Sequence, residues 1–322
     1  MLLLRAAFRF ERYGGAEPVI QVCVGSRQAR ICAVVVAYRP DPAMVLEVFD
    51  AVRPQVDELL VFDNASGSGF DALFEAEAAR GSHVLRSPDN LGIGAAINRA
   101  AEWAIGSACT HLLMLDQDSV LESGAVQVLF DARERLGAVA VGPQFRDARS
   151  GRLAPFIKIG FPFNEKLQGG PGQVVEADFL ITSGTLVNLQ DFIASGGLDE
   201  GIFIDNVDLE WSFRMRHRGG RLYGVCDARM RHTIGDRLAW RGLKRSGVIL
   251  HSPLRLYYIM RNRVLLYRRA ETPAIWIAQD VPRLLLRFVG TGLFVAPRLR
   301  YLREMVRGLA DGIRGRSGPY PG

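Results

Sequence analysis

Cysteine is scarce in this chain, and its few copies stand far apart. The 322 residues include four cysteines, at positions 23, 32, 109 and 226. Their spacing matches neither a zinc site, which needs closely paired ligands, nor a small scaffold held by disulfides. We therefore expect reduced thiols and a cytoplasmic location.

Several familiar signals are also missing. The run Met1–Arg5 begins apolar, but it is interrupted too early for a secretory signal. Near the carboxyl terminus, Asp280, Arg283 and Arg287 interrupt the apolar residues, which argues against a membrane-spanning helix. The stretch 90–94 contains glycines but completes neither a Walker loop nor a dinucleotide fingerprint. The absence of both patterns from residues 90–94 excludes the commonest phosphate-binding loops there.

Positive charge is concentrated at one end of the chain. The formal charge is +6, yet residues 241–322 hold 16 Lys/Arg against 4 Asp/Glu, so the preceding part is acidic. This distribution argues against nucleic-acid binding. Apolar and basic residues together predict a helical extension over 241–322 that lies on an anionic membrane surface, on the cytoplasmic face of the inner membrane. The alternative is a helical appendage packed on the preceding domain or on a partner subunit.

Apolar strands alternate with helices in the first half of the chain. The runs Ile31–Ala37, Glu58–Phe62 and Leu112–Leu115 are separated by amphipathic segments. This order predicts an α/β domain whose parallel sheet is covered by helices on both faces. Right-handed crossovers would bring the carboxyl ends of these strands to one edge. We assign residues 30–240 to this domain and residues 1–29 to an arm of unknown role.

The strand at Leu112 ends in two carboxylates that are one residue apart. Asp116-Gln117-Asp118 would place acidic oxygens at the ligand-binding edge of the sheet. Oxygen ligands of this kind suit a hard divalent cation, Mg²⁺ or Mn²⁺, which can neutralise a departing diphosphate. Taken alone, the pair fits a solvated turn equally well.

Other polar residues are expected at the same edge as a nucleotide site. Asp63 could accept hydrogen bonds from a pyrimidine imide or from ribose, and Gly92 would allow a close backbone approach to a ligand. With Asp116 and Gln117, the candidate donor-binding residues are Tyr38, Asp63, Asn64, Asn90, Gly92 and Asn98. Each also has a plain structural interpretation, as a turn former or a packing glycine.

Small residues mark a possible acceptor site. The segment Val174–Leu189 is predicted as a strand that contains Ser183 and Gly184. Their small side chains would let a sugar approach, although a glycine bulge explains them as well.

Four motifs together resemble the inverting family 2 glycosyltransferases, most closely the bacterial rhamnosyltransferase branch. They are Val34–Pro40, Phe62–Ser66, Asn90–Asn98 and Leu115–Ser119, and Phe203–Trp211 follows them. The resemblance covers about residues 31–265. It implies a three-layer nucleotide-sugar transferase fold of the GT-A type, in which residues 30–120 bind the nucleotide and residues 121–240 bind the acceptor.

The same resemblance implies roles for four further residues. Asp205 is the expected general base, Asp208 is its rival, and His232 is the expected third metal ligand. Trp211 is assigned to acceptor binding, and its segment is expected to be helical although its alternation also fits a strand. In the family an acidic pair is common where this chain has Asp205 followed by Asn206, and an amide cannot act as the base.

The expected activity is transfer of L-rhamnose from dTDP-L-rhamnose, with inversion, to a saccharide or lipid-linked saccharide during cell-surface polysaccharide synthesis. Two alternatives stay open at this point. One is a transferase with a UDP-sugar donor, and the other is a non-catalytic scaffold that binds nucleotide sugars or polysaccharide.

Overall fold

The computed structural model describes residues 29–233 and 251–322. The strands are β1 (Ile31–Ala37), β2 (Glu58–Asn64), β3 (His83–Ser87), β4 (His111–Asp116), β5 (Val120–Leu121), β6 (Ala140–Asp147), β7 (Phe156–Lys158), β8 (Glu165–Leu167), β9 (Val174–Ala177), β10 (Leu186–Asn188) and β11 (Leu222–His232). The helices are α1 (Pro42–Val52), α2 (Asp71–Ala79), α3 (Ile93–Gly106), α4 (Ala125–Leu136), α5 (Leu189–Ala194), α6 (Val207–His217), α7 (Pro253–Tyr267), α8 (Ala274–Phe294) and α9 (Arg298–Ile313). The predicted arm, apart from its last residue, and the predicted boundary at residue 240 lie outside the described residues.

One mostly parallel sheet organises the first part of the fold. Among the described residues its strand order is β3-β2-β1-β4-β10-β6-β11-β5, with β9 also paired to β11. Strands β1 to β4 run parallel, and β10 inserts antiparallel between β4 and β6. The parallel sheet predicted from the alternating pattern is confirmed.

Both faces of the sheet are buried, which gives three layers. Along β1, Val34 packs with α3 and α6 on one face, while Val35 packs with α1 and α4 on the other. All seven residues of β1 are buried. Burying each valine side chain contributes about 1.5–3 kcal/mol, so helices on both faces are needed to stabilise such a strand.

Strand β6 runs on through Gly142 to Asp147, because Gly142 and the residues after it pair with β11. One local prediction needs refinement. The single strand expected over 174–189 is two strands, β9 and β10, because Gly184 between them has a φ of +83°. The helix expected around Trp211 is confirmed as α6, Val207–His217.

The C-terminal helices pack against the sheet domain and against one another. Helices α7, α8 and α9 share a small apolar core around Met260 and Met305. Leu266 of α7 packs with Phe213 of α6 and Trp276 of α8. Within the described part of the chain, no helix is both long and apolar enough to cross a membrane. Of the cysteines, the three at positions 32, 109 and 226 are buried free thiols.

A close backbone contact joins the start of α3 to the loop before α6. Gly92 has a φ of +82°, and a Cβ added there would lie 2.5 Å from the carbonyl oxygen of Phe203. The N–H of Ile93 donates to that oxygen at 2.8 Å. The close approach that the sequence predicted at Gly92 is therefore made to the protein's own loop, and this contact fixes the loop's height over the sheet edge.

We predict that Gly92→Ala destabilises the fold by about 2 kcal/mol more than Gly81→Ala does. Gly81 is the matched control, because its φ is +94° but no atom lies within 4 Å of an added Cβ. The control should lose only about 1 kcal/mol, which is the cost of the backbone conformation. Chemical denaturation of both variants measures the difference, and equal losses would contradict the contact.

Candidate active site

Three predicted metal ligands meet at the carboxyl edge of the sheet. Asp116 ends β4, Asp118 follows it in the turn to β5, and His232 ends β11. One ligand atom from each lies within 4.8 Å of the other two. The imidazole Nδ1 of His232 is 3.4 Å from Asp118 Oδ1. Two carboxylates and an imidazole at this separation form a donor set that fits a divalent cation.

The charges in this cluster also favour a cation. Burial raises the pKa of Asp116, His232 lowers it, and the neighbouring Asp118 raises it further. Burial lowers the pKa of His232, but Asp118 and Asp116 outweigh that effect, so its pKa lies above the usual value. A bound cation would stabilise both carboxylates and would favour the neutral imidazole.

Two serines position these ligands from below. Ser183 is buried, and its hydroxyl accepts a hydrogen bond of 3.0 Å from the N–H of Asp116. The hydroxyl of Ser119 contacts both Ser183 Oγ and, at 2.8 Å, His232 Nδ1. Ser183, predicted to bind the acceptor, thus has its hydroxyl committed to the metal ligands. Gly184, predicted with it, lies against Pro143 and does not line the cavity described next.

A cavity of about 950 Å³ opens above this cluster. One wall comes from the sheet edge and includes five of the predicted donor-binding residues other than Asp116, namely Tyr38, Asn64, Asn90, Gly92 and Gln117. The opposite wall comes from the C-terminal helices and includes Arg255, Arg263, Trp276, Arg283 and Arg287. The cavity is therefore built jointly by the sheet domain and the basic C-terminal helices.

Hydrogen bonds preorganise the wall of the cavity that comes from the sheet edge. This wall, called the donor side below, carries the residues predicted to bind the sugar donor. The side chain of Gln117 accepts from the N–H of Tyr38 at 2.8 Å. Asn64 Oδ1 accepts from the N–H of Leu91 at 2.8 Å, and its Nδ2 donates to Asn90 Oδ1 at 3.1 Å. These contacts link the end of β4 to the end of β1, and the end of β2 to the loop that follows β3.

Three predicted site residues lie elsewhere. Asp63 is buried and accepts from the N–H of Ser66, because neighbouring residues of a strand point to opposite faces and Asn64 takes the cavity side. Asn98 bonds to the backbone of Leu198 through both its amide atoms, which ties α3 to the following loop. Trp211 is a core residue that packs on the sheet and donates to Ser195 Oγ.

The two candidate bases differ in their surroundings. Both carboxylate oxygens of Asp205 accept from Arg255, at 3.0 to 3.1 Å. Asp208 lines the cavity, and burial raises its pKa to about 6, with Asp205 and Asp116 contributing to the rise and the N–H of Leu209 opposing it. The pKa of Asp208 therefore lies close to neutral pH.

The loop that carries Asp205 adopts an unusual backbone and is held from behind. Phe203, Asp205 and Asn206 all have φ between 60° and 68°, a region that L-residues rarely adopt. Asn262 of α7, which is fully buried, donates through Nδ2 to the carbonyls of Ile202, Ile204 and Asp205 at 2.7 to 3.0 Å. This side chain stabilises the strained conformation.

Several cavity residues were missed by the sequence reasoning. Arg255, Trp276 and Arg287 belong to the C-terminal segment, where the sequence pattern indicated only charge and apolar character. Asn164 and Asn206 also line the cavity, and the enclosed Oδ1 of each has no hydrogen-bond partner among the described residues. Such oxygens can accept hydrogen bonds from the hydroxyl groups of a ligand. Their unpaired state is visible only in three dimensions.

Comparisons with known proteins give a consistent result. Residues 32–178 match the model of glycosyl transferase family 2. The chain is 28% identical over 298 residues to the dTDP-rhamnosyl transferase RfbF of Shigella flexneri, which covers 90% of this chain and 97% of that protein.

Solved structures share the fold at low identity. The S. aureus TarS fragment 1–349 in complex with UDP-GlcNAc has a TM-score of 0.57 at 16% identity, over 89% of this chain and 81% of that one. GalNAc-T7 with UDP, GalNAc and Mn²⁺ has a TM-score of 0.59 at 14% identity, over 90% of this chain and 56% of that one. The chain thus spans little more than half the length of GalNAc-T7.

We predict that Asp118→Asn weakens Mn²⁺-dependent binding of dTDP by more than about tenfold, because one of three ligands loses its charge. Calorimetric titration of dTDP with and without Mn²⁺ measures the effect. Glu75→Gln is the control, since it removes a carboxylate from an exposed position on α2. Unchanged metal dependence in Asp118→Asn would remove this residue from the metal site.

Proposed function

We propose that this chain, whose residues 32–178 form a glycosyl transferase family 2 domain, transfers L-rhamnose from dTDP-L-rhamnose to a saccharide acceptor with inversion at the anomeric carbon. The observation that carries the proposal is one cavity bordered by three side chains that could hold a metal ion, by the strand ends at the sheet edge and by two acidic residues. The choice of rhamnose is supported by the likeness to RfbF over nearly the whole of both chains.

The donor side of the cavity would hold the nucleotide. Asn64, Asn90 and Tyr38 offer amide groups and an aromatic ring at the carboxyl ends of the strands, where open α/β folds bind ligands. Asp116, Asp118 and His232 would hold the divalent cation, Mg²⁺ or Mn²⁺, which when bound supplies a Lewis acid for the diphosphate. The side-chain carbonyl oxygens of Asn164 and Asn206 would accept hydrogen bonds from hydroxyl groups of the sugar.

We assign the role of base to Asp208. The sequence favoured Asp205, but both oxygens of that carboxylate accept hydrogen bonds from Arg255. In the reaction the acceptor oxygen forms a bond to C1 of the sugar, the bond from C1 to the diphosphate oxygen breaks, and the acceptor proton passes to Asp208. The products are the glycoside and dTDP. Asp205 would act through Arg255 to order this side of the cavity.

We predict that Asp208→Asn lowers the transfer rate by roughly two to four orders of magnitude while dTDP affinity is retained, because only the proton acceptor is lost. In the wild type the rate should rise with pH and level off above about 6, since the raised pKa keeps Asp208 protonated and inactive below that value. Initial rates across pH 5–8 test both points. An active Asp208→Asn enzyme beside an inactive Asp205→Asn enzyme would return the role to Asp205.

A donor panel tests the function itself. Purified protein with Mn²⁺ is incubated with dTDP-L-rhamnose, UDP-glucose, UDP-GlcNAc and UDP-galactose, and release of the nucleoside diphosphate is followed with and without chelator. We expect metal-dependent turnover of dTDP-L-rhamnose at least tenfold faster than that of any UDP-sugar. Preference for a UDP-sugar would change the donor, and binding without turnover of any donor would favour a non-catalytic scaffold.

We propose that this activity takes place at the cytoplasmic face of the membrane, which the protein contacts peripherally. Leu286, Val289 and Leu293 recur along one face of α8 and are 54 to 74% exposed, and the helices around them are basic. We expect Leu286→Glu to reduce flotation with phosphatidylglycerol vesicles, because the charge would have to enter the apolar layer. Asp131→Asn on α4 is a control outside this face, and equal flotation of Leu286→Glu and the wild type would argue against the contact.

A further inference from the structure

A small apolar pocket of about 50 Å³, called the side pocket below, adjoins the cavity. Four residues line both spaces, namely Phe145, Phe179, Ile181 and Ser183. The rest of the wall of the side pocket comes from β6, from residues 154–157 and from Leu180. The side pocket and the cavity therefore share one wall.

The shared wall stands beside the candidate metal ligands. The ring of Phe145 meets the imidazole of His232 edge to face, with 5.7 Å between the ring centroids. The hydroxyl of Ser183 accepts a hydrogen bond of 3.0 Å from the N–H of Asp116. In a nucleotide sugar the diphosphate is bonded to C1, and only the ring oxygen separates C1 from C5. If the diphosphate lies at these ligands, the substituent on C5 of the sugar is therefore close to the side pocket.

The side pocket offers little to a polar group. Ser183 carries the one polar side chain among the described residues that line it, and its hydroxyl already contacts the N–H of Asp116 and the hydroxyl of Ser119. The carbonyl of Ile157 accepts from the N–H of Asp178 at 2.9 Å. A methyl group needs no hydrogen-bond partner in such surroundings, whereas a hydroxyl group would be buried without one.

We propose that the side pocket receives the C6 methyl group of the donor sugar, and that it thereby selects 6-deoxyhexoses over hexoses with a hydroxyl group at C6. The inference rests on the proposed function, because it assigns the part of the same site that recognises the donor sugar. A water molecule occupies about 30 Å³ in the liquid and a methyl group is of similar size, so the side pocket has room for one such group but not for a sugar ring. An apolar void lacks contacts that a bound methyl group would supply.

The test compares two donors that differ by one hydroxyl group. L-Rhamnose is 6-deoxy-L-mannose, so dTDP-L-rhamnose and dTDP-L-mannose differ only at C6. Their affinities and that of dTDP are measured by calorimetric titration of the full chain with Mn²⁺ and without acceptor.

Two substitutions change the side pocket at Ala154, which lines it but does not line the cavity. Ala154→Leu fills the side pocket, and Ala154→Ser places a hydroxyl group in it with little change of volume. Ala76→Leu is the matched control for the larger side chain, because Ala76 is exposed on α2 and lines neither space. Ala154→Ser keeps the test decisive if Ala154→Leu does not fold.

We expect the wild type to bind dTDP-L-rhamnose at least about tenfold more tightly than dTDP-L-mannose, because the added hydroxyl group finds no partner in the side pocket. Ala154→Leu should weaken binding of dTDP-L-rhamnose by about tenfold while affinity for dTDP is retained, and Ala76→Leu should change neither by more than about twofold. Ala154→Ser should strengthen binding of dTDP-L-mannose by about fivefold, the effect of one new hydrogen bond.

Equal affinities of the wild type for the two sugar nucleotides would overturn the side pocket as the C6 site, and so would an unchanged preference in Ala154→Ser. Transfer of L-rhamnose in the donor panel together with equal affinities would leave the proposed function standing without this site. Absence of turnover in the panel, with the preference for the 6-deoxy sugar present and reduced by Ala154→Ser, would count against the transferase activity and would support the side pocket.

Discussion

The buried amide of Asn262 is the contact on which the arrangement of the acids depends. Three backbone carbonyls of the loop before α6 converge on one Nδ2 group, within a segment where three residues have positive φ. Such a backbone is costly and persists only where its surroundings determine it. On the opposite side, Gly92 meets the carbonyl of Phe203. The loop is thus held between the C-terminal helices and the start of α3, and Asp205 and Asp208 are placed as a result.

This arrangement gives the cavity a polarity from one wall to the other. The sheet edge contributes carboxylates that attract a cation, and the C-terminal wall contributes arginines that attract an anion. Asp205 and Asp208 line the same cavity. In the proposed reaction, a cation at the sheet edge would hold the donor diphosphate.

Sequence reasoning identified the parts that depend on local order along the chain. The strand that ends at Asp116 and the carboxylate at Asp118 could be placed because a buried parallel strand must end at the ligand edge. The choice between Asp63 and Asn64 could not be made, since strand neighbours face opposite sides and only the register decides which one reaches the cavity. Trp211 shows the same limit on a helix. Residues on a helical face that packs on the core have the same spacing as residues on a face that meets a ligand, so the sequence alone cannot distinguish the two.

The contacts of Arg255 and Asn262 could not be predicted from the sequence for a different reason. Their partners lie some fifty to sixty residues earlier in the chain. Composition shows that the C-terminal segment is basic and apolar, but it carries no information on which arginine meets which carboxylate. Long-range pairing is decided by how the helices pack, and that packing rests on the apolar contacts around Met260, Leu266 and Trp276.

The position of Asn262 near the end of the chain has a consequence for biosynthesis. A ribosome makes the chain from the amino terminus, so the metal ligands and the donor surface are translated before α7 exists. Until that helix emerges, the loop before α6 lacks its three amide contacts, and the acids have no fixed place. On the proposed function, the residues that would hold the nucleotide and the cation are therefore synthesised before the helix that fixes the acids.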